Sequence, residues 1–176
     1  MTLRTAGNEV SARSQDFQRT VKMEAAANGV INAIINGGLV WLMLGGGDSL
    51  TAGGDNSYIA DTVVTAFVLP FILSLIVISL NRRKRRAGKT PAVELCPENT
   101  LHNIVSQVPG SIWAQALLLA VIAMAVTTPL VIGLLWMAGL PDIPPATYAV
   151  FKGVWCGILA AALVPPAFLL ALRSDR

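Results

Sequence analysis

Four runs of apolar residues, each about as long as a helix that crosses a bilayer, constrain this chain more than any other feature. They fall at about 25–45, 58–80, 112–136 and 147–172, and apart from Asp61 and Lys152 they hold no Asp, Glu, Lys or Arg. Lipid offers no partner to an open backbone amide, so a spanning segment of this kind must satisfy its own hydrogen bonds as a helix. Of the 176 residues 54% are hydrophobic and only 13% charged, against roughly a quarter charged in soluble domains. The expected fold is all-α: an integral membrane four-helix bundle at 25–172, preceded by a cytoplasmic, partly amphipathic segment 1–24 and followed by a short tail 173–176.

Charge sets the expected orientation, because Lys and Arg gather in loops that stay in the cytoplasm. Arg4, Arg13, Arg19 and Lys22 precede the first run. Arg82, Arg83, Lys84, Arg85, Arg86 and Lys89 lie in the loop 81–111, and Arg173 and Arg176 close the chain. The other two loops carry Asp48, Asp55 and Asp142 and no base. Both termini and the basic loop are therefore expected inside. Trp41, Tyr58, Trp136 and Tyr148 recur at the outer ends of the four runs, where amphipathic rings settle at headgroup depth. A cleaved secretory signal fits poorly, since the polar lead is long and three Asn interrupt the first run.

The first run carries an ordered polar pattern. Glu24, Asn28, Asn32 and Asn36 recur every four residues, forming one stripe that rises about 18 Å along a helix. Ala25, Gly29, Ala33 and Gly37 form a stripe of small residues beside it, the pattern that lets a second helix approach closely. Both point to helix one as the buried centre of the bundle. The Asn stripe is either an interhelical hydrogen-bonding seam or, with Glu24, a polar pathway for a small solute or ion. Lys152 lies at about the depth of Asp61, near the outer boundary, so the two are expected to pair unless the lysine snorkels outward. Pro70, Pro129, Pro165 and Pro166 lie inside runs two, three and four, where each removes a backbone hydrogen bond and is expected to kink its helix.

Outside the spans, Val10, Phe17 and Val21, and again Leu101, Ile104, Val105 and Val108, recur at helical spacing and could rest on the inner membrane surface. The run Arg82, Arg83, Lys84, Arg85 and Arg86 sets topology and would attract anionic lipid at about 1 kcal/mol per charge. No folded module or aromatic surface accompanies it, so nucleic acid is not an expected partner. Cys96 and Cys156 lie in different environments, no metal-ligand spacing exists, and the single His102 sits in the basic loop, which excludes paired axial ligation of haem within the bilayer. No cofactor is expected. The loop 45–57, Gly-rich with Asp48, echoes protease and calcium-repeat strings out of context and reads as turn chemistry. No nucleophile has a base nearby, which argues against an enzyme.

The strings Ile31-Asn32-Ala33-Ile34-Ile35-Asn36-Gly37 with Trp41, Thr65-Ala66-Phe67-Val68-Leu69-Pro70, and Arg82-Arg83 followed by Gly88-Lys89-Thr90-Pro91 resemble a group of small uncharacterised bacterial membrane proteins loosely labelled permeases. The likeness covers helices one and two and the basic loop. It implies a bacterial inner-membrane location and carries no established activity or site.

Hairpins one-two and three-four share an orientation, and runs two and four both carry Thr, Phe and Pro before an Arg-bearing end, which suggests a parallel internal repeat. Two functions fit these residues. One is a small transporter or channel formed by a homo-oligomer, since four helices enclose little room alone. The other is a non-catalytic accessory subunit that docks its small-residue and apolar faces on a larger membrane complex and its lipids.

Overall fold

The computed structural model describes residues 2–88, 107–139 and 141–172, with side chains from residue 15 onward. Four helices dominate: α1 (Thr2–Leu44), α2 (Tyr58–Arg86), α3 (Ile112–Met137) and α4 (Pro145–Leu172). Each contains a stretch long and apolar enough to cross a membrane, and the protein is an all-α, multi-pass four-helix membrane protein. Below, the end holding Asp48, Asp55 and Asp142 is the acidic end, and the end holding Arg82–Arg86 the basic end.

The helices pack as α1 on α4, α4 on α2 and α2 on α3, while α3 scarcely touches α4. This corrects the expectation of helix one as the buried centre of the bundle. The centre is α4, 61% buried across its most apolar window, whereas the window of α1 is 11% buried. The physical reason is where the small residues lie. A Cβ on Gly153 would stand 2.9 Å from the Ala33 carbonyl oxygen, and one on Gly157 2.9 Å from that of Gly29; reciprocally, one on Gly37 would stand 3.0 Å from the Ala149 oxygen. The stripe Gly29, Ala33, Gly37 therefore meets a matching stripe, Ala149, Gly153, Gly157 and Ala161, and the two backbones touch. The helices run antiparallel, as consecutive register pairs show.

α1 is one helix of 43 residues, about 65 Å long. The expected separate segment 1–24 is its first half. Phe17 meets Phe168 of α4 edge-on at 6.5 Å, and Phe17, Val21 and Ala25 pack against the core. The side chain of Val10, and the residues Leu101, Ile104 and Val105 with Cys96 and His102, lie outside the described residues; Val108 packs against the core. α2 likewise runs on through Arg82–Arg86, so those five bases are helical. α2, α3 and α4 all continue past their internal prolines, Pro70, Pro129, and the pair Pro165 and Pro166.

At the acidic end two short strands tie the loops together. β1 (Leu50–Thr51) pairs antiparallel with β2 (Asp142–Ile143), Leu50 opposite Ile143. Both of those side chains are buried, which pins what composition reads as a flexible loop. Ser57 then caps α2, accepting from the Ala60 amide at 3.2 Å.

The internal repeat is present in the burial pattern. Every residue that α2 buries has a buried counterpart ninety positions on in α4: Tyr58 with Tyr148, Thr62 with Lys152, Ala66 with Cys156, Leu69 with Leu159, Leu73 with Leu163, Val77 with Ala167, and so through Asn81 with Ala171. α1 on α4 then corresponds to α3 on α2, and the α2–α4 contact and the antiparallel β1–β2 pair correspond to themselves. Such a set of contacts describes two α–β–α units related by a two-fold axis running through the α2–α4 interface.

Candidate functional site

Charge in an apolar interior is costly unless paired, and the one base within the spans is paired. Lys152, on the buried face of α4, donates to both carboxylate oxygens of Asp61 on α2, at 2.6 and 2.7 Å. Tyr148 lies one turn before Lys152 on the same face and donates its hydroxyl to Asp61 Oδ2 at 2.6 Å. The lysine side chain is 10% exposed and the aspartate 35%, so the acid looks into open space while its partner does not. The expectation of an Asp61–Lys152 pair thus matches the geometry, and the snorkelling alternative does not.

Tyr148 was expected at headgroup depth, as was Tyr58. Both are fully buried, because each begins the core-facing stripe of its helix. Trp41, Trp113 and Trp136 are more than half exposed, and the lipid-facing aromatic role falls to them. The signal that could have revealed Tyr148 is its four-residue spacing from Lys152, which puts both on one face.

The space that Asp61 faces is a cavity of about 280 Å³ at the acidic end. Asn36, Leu39, Val40, Met43 and Leu44 of α1 and Leu50 of β1 form one wall; Asp55, Asn56, Ser57, Asp61, Tyr148 and Lys152 form the other.

Asn36 also lines a second space, a groove of about 410 Å³ between α1 and α2. Asn28 and Asn32 continue it toward the basic end, facing Thr65 and the apolar Val64, Val68, Ile72 and Ile76 of α2. Here the structure departs from the interhelical seam. Each Asn donates its Nδ2 to a carbonyl of its own helix: Asn28 to Glu24 at 2.8 Å, Asn32 to Asn28 at 2.9 Å and Asn36 to Asn32 at 2.9 Å. Self-satisfaction of this kind lets an amide lie along a groove without a partner across it.

Glu24 closes the line at the basic end, where Lys84 of α2 donates to it at 2.9 Å. With side chains 46% and 31% exposed, this pair contributes about 0–1 kcal/mol. It gathers α1 and α2 where the groove between them ends. Arg82 is engaged too, donating to the Gly110 carbonyl at 3.0 Å and to Gln115 Oε1 at 2.9 Å. Gln115 is fully buried and donates to the Pro109 carbonyl at 2.8 Å, a basic-end latch that no spacing in the sequence marks. Of the five bases expected on lipid, Arg82 and Lys84 therefore hold the chain together, Arg85 is half-buried, and Arg83 and Arg86 remain exposed.

Among the described residues no group of His, Cys, Asp and Glu could hold a metal ion. Cys156 is buried beneath the pair. These features define the class, a four-helix membrane protein with one charged pair near its acidic end and a polar groove leading from it. The chain matches no protein-family model, no curated protein and no solved structure.

Proposed function

We propose that the chain is a small membrane transporter or channel-like protein that acts as an oligomer, with the groove between α1 and α2 as its pathway. One observation carries this reading: Asn36 lines both the acidic-end cavity and the groove, so one line of polar residues runs from Asp61 and Lys152 through Asn36, Asn32 and Asn28, whose amide donates to the Glu24 carbonyl toward the basic end. The α1 part of it rises about 18 Å, more than half of a hydrocarbon core of ~30 Å. Polar groups at that depth are costly and mark solute or ion pathways.

The internal two-fold strengthens the case. The counterparts of Asp61 and Lys152 are Phe151 and Thr62, neutral residues that the same scaffold accommodates. A fold that does not need the charges has them where a cavity opens. An open groove on one side of α1 would be completed by a second copy, which is the reason for an oligomer. The excess of Lys and Arg at the basic end supports a cytoplasmic placement of that end, with both termini inside, and the resemblance in helices one and two supports a bacterial inner membrane.

The alternative is an accessory subunit of a larger membrane complex. Its support is the exposed face of α1, where Val30, Ile34, Leu42 and Met43 are all at least 60% exposed and would suit a partner helix as well as lipid.

Purification from native membranes in mild detergent, with mass determination, separates the two. A homo-oligomer that supports saturable flux of ions or small solutes in vesicles, lost in Asn32→Leu and Asp61→Asn, is the expected outcome. A fixed ratio to larger subunits with no flux would overturn the transporter and favour the accessory role.

A further inference from the structure

The acidic-end cavity has a charge imbalance that states what it lacks. Asp55 and Asp61 both line it, against one ammonium, Lys152. Lys152 is spent on Asp61, and among the described residues Asp55 has no ion pair. Of the remaining polar lining, Asn36, Asn56 and Ser57, the Asn36 Nδ2 is committed to the Asn32 carbonyl and the Ser57 hydroxyl donates to the Ala52 carbonyl at 2.8 Å. The opposite wall, Leu39, Val40, Met43, Leu44 and Leu50, is apolar. The seat itself is already drawn to scale. Lys152 shows that the Asp61 carboxylate beside Tyr148 receives a primary ammonium at 2.6–2.7 Å from a side chain only 10% exposed.

We propose that this cavity binds a small solute with a primary ammonium group and a short apolar body, the ammonium lying between Asp55 and Asp61 and the body against Leu39, Val40 and Leu50. The bound cavity is then neutral, two carboxylates facing two ammoniums. This deepens the transport reading by naming the class of solute at one end of the same pathway.

The test is equilibrium binding to the full-length protein in detergent or lipid nanodiscs, kept apart from flux. The probe is n-butylammonium, compared at equal ionic strength with n-butanol, butyrate, sodium and potassium. Saturable binding of butylammonium alone is expected, about tenfold or more weaker in Asp55→Asn, the scale of one lost ionic contact, and lost in Asp61→Asn. Because Asp61→Asn strands Lys152 and can unfold the protein, the exposed-loop variant Asp55→Asn is the deciding one. Butanol binding as tightly would make the site apolar, sodium or potassium binding equally would make it an inorganic-cation site, and unchanged affinity in Asp55→Asn would remove the second carboxylate; each overturns the proposal. Binding without flux would sink the transporter and leave this site standing. Flux of another solute without butylammonium binding would do the reverse.

Discussion

Lys152 loses almost all of its hydration on folding, and only Asp61 compensates for it. Removing the acid strands a buried ammonium, whereas removing the lysine leaves a carboxylate that is 35% exposed and still bonded to Tyr148, so the two single changes are unequal. Asp61→Asn is expected to cost about 2–3 kcal/mol and Lys152→Met about 1–2, the smaller value reflecting solvent at the acid. The double variant should lose clearly less than the two together. Reversible unfolding in mixed detergent measures all three, and strict additivity would mean that the pair does not interact. Asn32 behaves oppositely. Its Nδ2 donates to a carbonyl that helix α1 already uses, so Asn32→Leu should change stability by no more than about 0.5 kcal/mol. If the groove is a pathway, the same substitution abolishes flux; a large stability loss would instead place Asn32 in a structural contact.

Two of the helices meet backbone to backbone, and the glycines that allow this can be told from those that do not. Gly153→Ala and Gly157→Ala each put a methyl 2.9 Å from a backbone oxygen of α1, and neither oxygen moves without the helix. A loss of about 1–3 kcal/mol is expected for each, with α1 prised from α4 as read by cysteine cross-linking between the helices. Gly38→Ala and Gly133→Ala meet nothing within 4 Å and should be neutral or stabilising by up to about 1 kcal/mol, since glycine is the poorer helix former. Equal effects at the two sets would refute the close approach. The stripe on α1 was legible in the sequence, and its mate on α4 follows from the same four-residue spacing. The spans were legible because lipid imposes length and apolarity. What misled was the meaning of polarity: Asn28, Asn32 and Asn36 suggest a buried helix, yet each satisfies itself on its own backbone and so can border a groove. The first half of α1 was unreadable as part of the bundle because its sequence is polar; among the described residues Phe17 meets Phe168 of α4 and Val21 packs against the core. Two-residue strands have no period to detect. Of the site, Asp61 and Lys152 were legible from matched depth, while Tyr148 was hidden by the expectation that an end-of-helix ring faces headgroups, and the cavity depends on loop packing that no pattern encodes.

For the molecule as a whole, the two-fold makes the charged pair an asymmetric addition to a symmetric frame, and that can be tested by moving it. Under the ninety-residue register, Asp61 and Thr62 of α2 correspond to Phe151 and Lys152 of α4, with Tyr58 standing for Tyr148. Exchanging the four residues, Asp61→Phe and Thr62→Lys with Phe151→Asp and Lys152→Thr, rebuilds the pair on the other side of the axis, with Tyr58 placed to donate to the new acid. The half exchange Asp61→Phe with Thr62→Lys leaves two buried ammoniums and no acid at this level, and should be the least stable variant, by about 3–5 kcal/mol. The full exchange should recover most of that loss, because every residue that α2 buries has a buried counterpart on α4. It should not recover function, since the moved acid leaves the cavity that Asp61 and Asn36 line together. Thermal unfolding and vesicle flux on the same three proteins decide the matter: rescue of stability without rescue of flux assigns the fold to the repeat and the pathway to α1. A full exchange no more stable than the half would show that the register describes burial but not geometry.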